Sequence, residues 1–393
     1  MKRLIYGGSF NPPHRGHVTG ARSAREAYDG APLYLVPDYL PPHKSGAADS
    51  PTAEERLRLT EGLATELPGC EILTLELERG GRSYTSDTLA ELQKRWPGDE
   101  LVFLLGTDML LTLDLWHEPE NIMALAEIGV FARTPEDWPL IAEKKAELEA
   151  RFGARITVIP GEPVDISSRQ LRSLLPLRQG REFLPEAVYE EIIQKRLYGA
   201  RPDFDWLRER GWSYLKPKRV PHVQGTEQEA VRLALRWGED PEDAAEAAIL
   251  HDITKKLSLE EQLRLCETYG IITDVVEQTN EKLLHSRTGA AFARDLFGIS
   301  DRVYDAIRWH TTGHADMTLL EKIIYMADYI EPTRSGFEGL EELRRLSYEN
   351  LDEAMLLGLR LNRAELLERG TAWHENSAEA ERYFEKILAP KAL

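Results

Sequence analysis

The chain has 393 residues, 42% hydrophobic and 30% charged, an ordinary soluble composition with room for two or three domains. A net charge of -18 argues against nonspecific binding to nucleic acid or an anionic membrane, but leaves small phosphorylated ligands open, since these need only local donors or a metal. Cys70 and Cys266 stand far apart outside any paired motif, which disfavours disulfides and zinc–cysteine sites and fits a reducing cytoplasm.

No apolar run approaches a membrane span, and "MKRLIYGGSF" is too short and glycine-rich for a signal peptide. "RLIYGG" then reads as a short buried strand ended by Gly7 and Gly8. Pro12 and Pro13 keep the following residues extended, and a helix is expected from Gly16 onward. His14 and His17 therefore fall around a helix N-terminus, where free backbone N–H groups and the dipole favour an anion. Gly16 would let a ligand approach the backbone closely.

The next strand signals are "LYLVP", "EILTLEL", "ELVFLLG", "IGVFART" and "RITVIPG", with helical stretches between them. Ser50 reads as an N-cap followed by Pro51 at the first helical position, and Gly153 as a helix stop. This alternation predicts a mostly parallel sheet covered by helices, with ligands at the carboxyl ends of the strands. Candidate residues follow each strand: His43 and Lys44 in "PDYLPPHK", Tyr84, Thr85 and Asp87 in "GGRSYTSDTL", and Gly106, Asp108 and Trp116 in "LLGTDMLLTLDLWHEP". "DISSRQLR" adds Ser167 and Ser168 at a helix start, with Arg172 one turn in. Gly8, Ser9 and Phe10 complete the set in the loop after the first strand.

The first domain is expected to span residues 1–199, with 200–215 as a join. Beyond it, in 216–393, strand signals almost vanish and helices succeed one another, several ending at glycine. The fold class is thus a Rossmann-like α/β domain followed by an all-α domain. The helical half carries His222, the pair His251-Asp252, His285, His310 and Asp328, placed by this reading on five helices. Imidazoles and carboxylates converging inside a helical bundle suit iron, manganese or zinc, and the lack of thiolates disfavours a closed structural zinc site.

"GGSFNPPHRGH" with "ISSRQLR" resembles the paired motifs of the nucleotidylyltransferases, and "YLPPHK", "SYTSDTL" and "GTDMLLTLDLWH" resemble their bacterial nicotinate-mononucleotide adenylyltransferase branch. The family commonly has threonine where Arg169 stands. The resemblance implies adenylyl transfer from ATP, accompanied by Mg²⁺, to nicotinate mononucleotide. His14 and His17 would contact the ATP phosphates, Arg172 and Ser168 the β- and γ-phosphates, and Asp108 the adenosine side. Lys44 would neutralise the mononucleotide phosphate and Trp116 stack on its pyridine ring. A pantetheine-phosphate adenylyltransferase is the alternative within the superfamily.

"ILHDITK", "LLHSRTGA", "AIRWHTTG" and "KIIYMADYIEPTR" resemble the HD superfamily and, within it, the symmetrical diadenosine-tetraphosphate hydrolases. That resemblance implies His222, His251, Asp252 and Asp328 as metal ligands, with iron favoured, and two ADP as products. His285 and His310 would hold a second metal or touch phosphates, and Tyr329 and Arg334 would contact substrate. Pro221, Gly225 and His314 depart from the family pattern. A nucleotide-sensing regulatory module is the alternative for this half. Self-association into a homo-oligomer is compatible with the sequence.

Overall fold

The computed structural model describes residues 1–40, 50–162 and 164–390. Six strands form one parallel sheet: β1 (Lys2–Gly8), β2 (Leu33–Pro37), β3 (Glu71–Ile72), β4 (Glu100–Gly106), β5 (Ala126–Phe131) and β6 (Ile156–Val158). Their order is β3-β2-β1-β4-β5-β6, so the winding reverses between β1 and β4. Tyr6 pairs with Leu35 on one side and Leu104 on the other. Leu4, Ile5, Leu35 and Leu104 are fully buried, as central parallel strands covered on both faces require.

The helices of this unit are α1 (Arg15–Ala27), α2 (Ala53–Ala64), α3 (Leu75–Arg79), α4 (Thr85–Arg95), α5 (Thr107–Leu110), α6 (Pro119–Leu125), α7 (Asp137–Phe152), α8 (Ser168–Leu174) and α9 (Glu186–Gln194). Gly153 ends α7 in the left-handed conformation. "EILTLEL", expected as one strand, pairs only over Glu71–Ile72 and then turns into α3. At the sheet edge β3 has one neighbour, so only one ladder holds the strand geometry. The N-cap of α2 is Thr52 rather than Ser50. Its hydroxyl accepts from Glu55 N at 3.2 Å while Glu55 Oε2 accepts from Thr52 N at 2.7 Å, a reciprocal pair that Ser50 cannot make.

The chain divides into two compact units, Met1–Arg201 and Pro202–Leu393. The second holds α10 (Phe204–Ser213), α11 (Val220–Trp237), α12 (Pro241–Leu250), α13 (Leu259–Tyr269), α14 (Glu281–Phe297), α15 (Asp301–Trp309), α16 (Leu319–Ile330), α17 (Leu340–Glu349), α18 (Leu351–Glu368) and α19 (Glu375–Leu388). Much of the stretch expected to be a join is therefore helix. α10 is capped by Asp203, and its Trp206 packs edge-on against Phe297, the ring centroids 5.8 Å apart. Pro221 sits in the first turn of α11, where its missing N–H has no helical partner to lose. Among the described residues no helix is long and apolar enough to cross a membrane.

Candidate functional sites

In the first unit a cavity of about 1060 Å³ opens at the β1/β4 reversal, where the loops after those strands diverge. Gly8, Ser9, Phe10, His14 and His17 line it from the β1 side, and Gly106, Asp108 and Trp116 from the β4 side. Tyr84 and Thr85 reach it from the start of α4, and Ser167, Ser168 and Arg172 from α8. Asp87 is not among the lining residues; it lies exposed in the first turn of α4, where its charge complements the helix dipole. His43 and Lys44 lie outside the described residues.

The two histidines at the start of α1 form a contact pair, ring centroids 3.9 Å apart. His17 Nδ1 accepts the His14 backbone N–H at 3.1 Å, so in the neutral ring the hydrogen sits on Nε2. Burial, with Arg133 nearby, lowers the His17 pKa to about 3, and burial together with His17 pushes His14 lower still. Both imidazoles are therefore neutral at physiological pH, offering hydrogen-bond donors to an anion rather than full charges. Gly16 lines the cavity and has a local use as well: a Cβ there would stand 3.0 Å from the His14 ring, which would have to shift from its place over the helix start.

The loop between β1 and α1 is braced from α8. Ser168 Oγ donates to Pro12 O at 2.8 Å and Arg172 Nη1 to Asn11 O at 2.6 Å. Ser167 caps α8 in a reciprocal pair with Gln170. Ser168 and Arg172, expected to meet phosphate, thus hold the β1–α1 loop in place. Phe10, in the left-handed region at φ 45°, packs its ring 5.4 Å from His17, a conformation uncommon for a bulky residue. Trp116 meets Phe103 edge-on at 6.3 Å and lines the cavity as well, so it is both core edge and cavity wall.

Sequence reasoning missed several lining residues. Arg133 Nη2 lies 3.0 Å from Asp108 Oδ1. Asp38 accepts from Ser9 Oγ at 2.5 Å and from buried Arg56 at 2.6 Å, which fixes the Ser9 hydroxyl. His117 packs on Tyr84 with the rings tilted by 39° and centroids 4.3 Å apart, extending the aromatic wall beside Trp116. Each is an unremarkable residue in the sequence, and only sheet order brings them together.

In the second unit six residues named from sequence converge. His222 Nε2 lies 2.9 Å from Asp328 Oδ1, and His251 Nε2 lies 3.5 Å from Asp252 Oδ2 and 3.7 Å from Asp328 Oδ1. His285 Nε2 lies 3.2 Å from Asp252 Oδ1 and 3.0 Å from His310 Nε2. They do not stand on five helices: His251 and His310 are the residues at which α12 and α15 end, and Asp252 is in the turn beyond. Both histidines keep helical backbone angles at the cap, and each imidazole folds back to donate from Nδ1 to a carbonyl of its own last turn, Ala248 O and Ile307 O, both at 2.7 Å. His285 does the same to Lys282 O at 2.7 Å.

Those carbonyls only accept, so each Nδ1 carries a hydrogen and each Nε2 presents its lone pair to the centre when the ring is neutral. Among the described residues, buried His251 Nε2 and Asp252 Oδ1 make no hydrogen bond, although His285 Nε2 stands 3.2 Å and Lys255 Nζ 3.4 Å from Oδ1, an arrangement that is costly unless a cation fills it. Two ligand sets bring their atoms within 4.8 Å of one another: His222, His251 and Asp328, and His251, Asp252 and His310. The donor set of imidazole nitrogen and carboxylate oxygen, without thiolate, fits an open divalent transition-metal site. Burial opposes ionisation of Asp252, but His251 and Lys255 hold its carboxyl well below the usual range. Burial lowers His285, reinforced by Lys255, to about 3. Ionised carboxylate and neutral imidazole are the forms that ligate.

Three cations surround the cluster. Arg219 pairs with Asp252, its Nε at 2.5 Å from Oδ2; Lys255 Nζ lies 2.8 Å from His285 Nε2; Arg334 Nη2 lies 3.2 Å from Asp328 Oδ1. Only Arg334 was expected from sequence. Tyr329, half-buried, packs its ring on Phe337, centroids 5.4 Å apart, and against Gly358. His314 lies outside the cluster, paired with Glu321 at 3.0 Å and packed on Trp309. A further group, Asp274, Glu277 and His374, is already satisfied: His374 Nδ1 accepts from Asn376 N, its Nε2 donates to Asp274, and Glu277 takes Arg287 on both oxygens.

Fold and sites together define a parallel α/β nucleotide-binding unit followed by a helical metal-site unit. The cytidylyltransferase-like family matches residues 5–174 and the HD domain residues 219–333. A Gemmatimonas aurantiaca protein named probable nicotinate-nucleotide adenylyltransferase is 32% identical over 207 residues, covering 51% of this chain and 94% of the relative. A Mycoplasma pneumoniae protein named probable nicotinate-nucleotide adenylyltransferase/Ap4A hydrolase is 28% identical over 334 residues, covering 84% of this chain and 89% of its own. A solved structure from Clostridium acetobutylicum, described as a predicted HD superfamily hydrolase involved in NAD metabolism, is 36% identical with a TM-score of 0.46, covering 48% of this chain and 100% of that one. The chain belongs to the nicotinate-nucleotide adenylyltransferase family and carries an HD domain after it. The HD domain implies a divalent metal, which the convergent, partly unpartnered donors described above fit.

Proposed function

We propose that the chain is a bifunctional enzyme: it transfers adenylate from ATP to nicotinate mononucleotide, giving deamido-NAD and pyrophosphate, and it hydrolyses diadenosine tetraphosphate to two ADP. The observation that supports the first activity most is the meeting of the His14/His17 pair, α8 and the Trp116–Tyr84–His117 wall on one cavity at the sheet reversal. A phosphate-binding end and an aromatic wall suit a nucleotide triphosphate beside a mononucleotide bearing a flat ring.

In this reading a phosphate oxygen of the mononucleotide attacks the α-phosphorus of ATP, and the bond from that phosphorus to the β-bridging oxygen breaks. A phosphate monoester is already a nucleophile, so the protein supplies position and charge neutralisation rather than a base. His17 donates from Nε2 to the phosphates, and His14 lies against it. Arg172 braces the loop at Asn11 and presents its remaining donors to the departing pyrophosphate. Arg133 and Asp108 orient the adenosine side. Trp116 holds the pyridine ring, and Lys44 the mononucleotide phosphate. Mg²⁺ enters with ATP.

In the helical unit the chemistry expected of a bound divalent metal, iron by family resemblance, would be an activated water and a polarised phosphoryl oxygen. His222, His251, Asp252 and Asp328 would hold the metal. His285 and His310 present lone pairs for a second ion. Arg219, Lys255 and Arg334, now beside Asp252, His285 and Asp328, would donate to the phosphate oxygens of the substrate. Attack at an inner phosphorus, with cleavage of the central bridge, leaves an ADP on each side. Two free thiols, Cys70 and buried Cys266, agree with a reducing cytoplasm, and the protein is open to self-association.

The test is to give the purified full chain ATP with nicotinate mononucleotide or with phosphopantetheine, and separately diadenosine tetraphosphate with divalent metal. Deamido-NAD from the first and ADP alone from the last are expected. Preference for phosphopantetheine would overturn the first assignment, and metal-dependent binding of the tetraphosphate without turnover would make the helical unit a sensor.

A further inference from the structure

Four imidazoles reach the helical cluster, and three of them rest their Nδ1 hydrogen on a main-chain carbonyl. His222 differs. Its Nδ1 lies 3.0 Å from Oε1 of Glu331, the residue that follows α16 and opens the segment Glu331–Arg334. Glu331 is only 1% exposed. Thr333 aims its carboxylate, donating from its backbone N to Oε2 at 2.6 Å and from its hydroxyl to Oε1 at 2.7 Å. Arg344 holds the surrounding turn through the carbonyls of Ile330, Glu331 and Arg334.

Gly225, three residues after His222 in α11, lies against the same carboxylate. A Cβ at that position would stand 2.4 Å from Glu331 Oε2. A glycine inside a helix costs stability, and here its absent side chain is the space the carboxylate occupies.

We propose that Glu331 is a positioning residue of the hydrolytic site, its carboxylate fixing the tautomer and ring orientation of His222, with Gly225 as the clearance that admits it. The proposal rests on the metal-dependent reading of the cluster given above. Nε2 lies 2.9 Å from Asp328, also an acceptor, so with a metal on Nε2 the single ring hydrogen would be on Nδ1, where the Glu331 carboxylate is placed to accept it. The carboxylate also makes the imidazole a stronger electron-pair donor than a carbonyl would, so the His222 corner of the cluster is tuned apart from the other three. Arg334, at the far end of the same turn, reaches both the carbonyl and the carboxylate of Asp328. One short segment therefore sets two members of the cluster.

The experiment is a cobalt(II) titration of the chelator-stripped full chain, read by visible ligand-field absorption, with no nucleotide present. Wild type is expected to bind with imidazole-type bands. Glu331→Gln keeps the shape and loses the charge, and Glu331→Asp keeps the charge and loses the reach; each should weaken cobalt binding about 10- to 100-fold and alter the bands. Gly225→Ala, which displaces the carboxylate without removing it, should shift the bands in the same direction. Unchanged affinity and bands in both Glu331 variants would overturn the positioning role while the metal site stands. A wild type that binds no cobalt would overturn the metal reading itself, and this proposal with it. Loss of helical ellipticity in both Glu331 variants would make the residue a structural one, and would also overturn the proposal.

Discussion

Replacing His17 with alanine removes a ring whose two nitrogens have separate tasks. Nδ1 accepts the His14 N–H at 3.1 Å, which satisfies one of the free donors at the start of α1. Losing that acceptor costs about 1 kcal/mol, as for other N-terminal caps, and lowers Tm by about 2–4 °C for a unit of this size. Nε2 carries the hydrogen of a ring that lines the cavity. Removing one preorganised donor to a transferring phosphate costs about 2.7–4 kcal/mol, or roughly 10²–10³ in kcat. The assay is pyrophosphate release from ATP and saturating nicotinate mononucleotide, run beside ADP release from diadenosine tetraphosphate on the same preparation. Synthesis should fall by that factor while hydrolysis is unchanged. Near-normal synthesis in the variant, or equal loss of both activities in a folded protein, would refute the reasoning.

Trp116→Ala should raise KM for nicotinate mononucleotide about 5-fold, from a stacking contribution on the order of 1 kcal/mol, with little change for ATP and partial recovery in Trp116→Phe. A large drop in Tm with unchanged KM would assign the ring to the core edge alone. Because burial holds His14 and His17 neutral, the folded first unit refuses protons that the unfolded chain accepts below about pH 6.5. The stability present above that pH is therefore lost as pH falls, by about 1.4 kcal/mol per pH unit for each histidine. Urea unfolding across that range should show a shallower slope in His17→Ala, and an identical slope would contradict the neutral pair. Asp252→Ala should lose tetraphosphate cleavage and most bound metal by elemental analysis while helical ellipticity persists. His314→Ala should do far less, since His314 is paired with Glu321 outside the cluster. AMP and ATP as products in the wild type would move the attacked phosphorus to the end of the chain of phosphates.

Much of this was legible in one dimension. The runs at β1, β2, β4 and β5 read as strands because a parallel strand covered on both faces needs continuous apolar sequence, and Leu4, Ile5 and Leu104 are buried accordingly. The histidines and aspartates of both sites stood out because their side chains have few structural uses when grouped. Boundaries were less legible: "EILTLEL" has strand composition, yet only Glu71–Ile72 finds a neighbour. Asp87 shows the limit of reading roles from a motif, since it lies exposed and is not among the residues that line the cavity.

The sequence by itself determined which segments fold as alternating strand and helix, which as helix alone, and which residue types can meet phosphate or metal, because these depend on local periodicity and side-chain chemistry. Only the tertiary structure decided the membership of each site. Asp38, Arg133, Arg219, Lys255 and Glu331 are ordinary charged residues in the chain, and nothing local distinguishes them from the many that face water. They become parts of a site because the sheet order sets β1 beside β4, and because the ends of α12 and α15 deliver their imidazoles to the same point as α11, α14 and α16. Gly225 is the plainest case. In sequence it is a defect in a helix, and in space it is the room that the Glu331 carboxylate needs to reach His222.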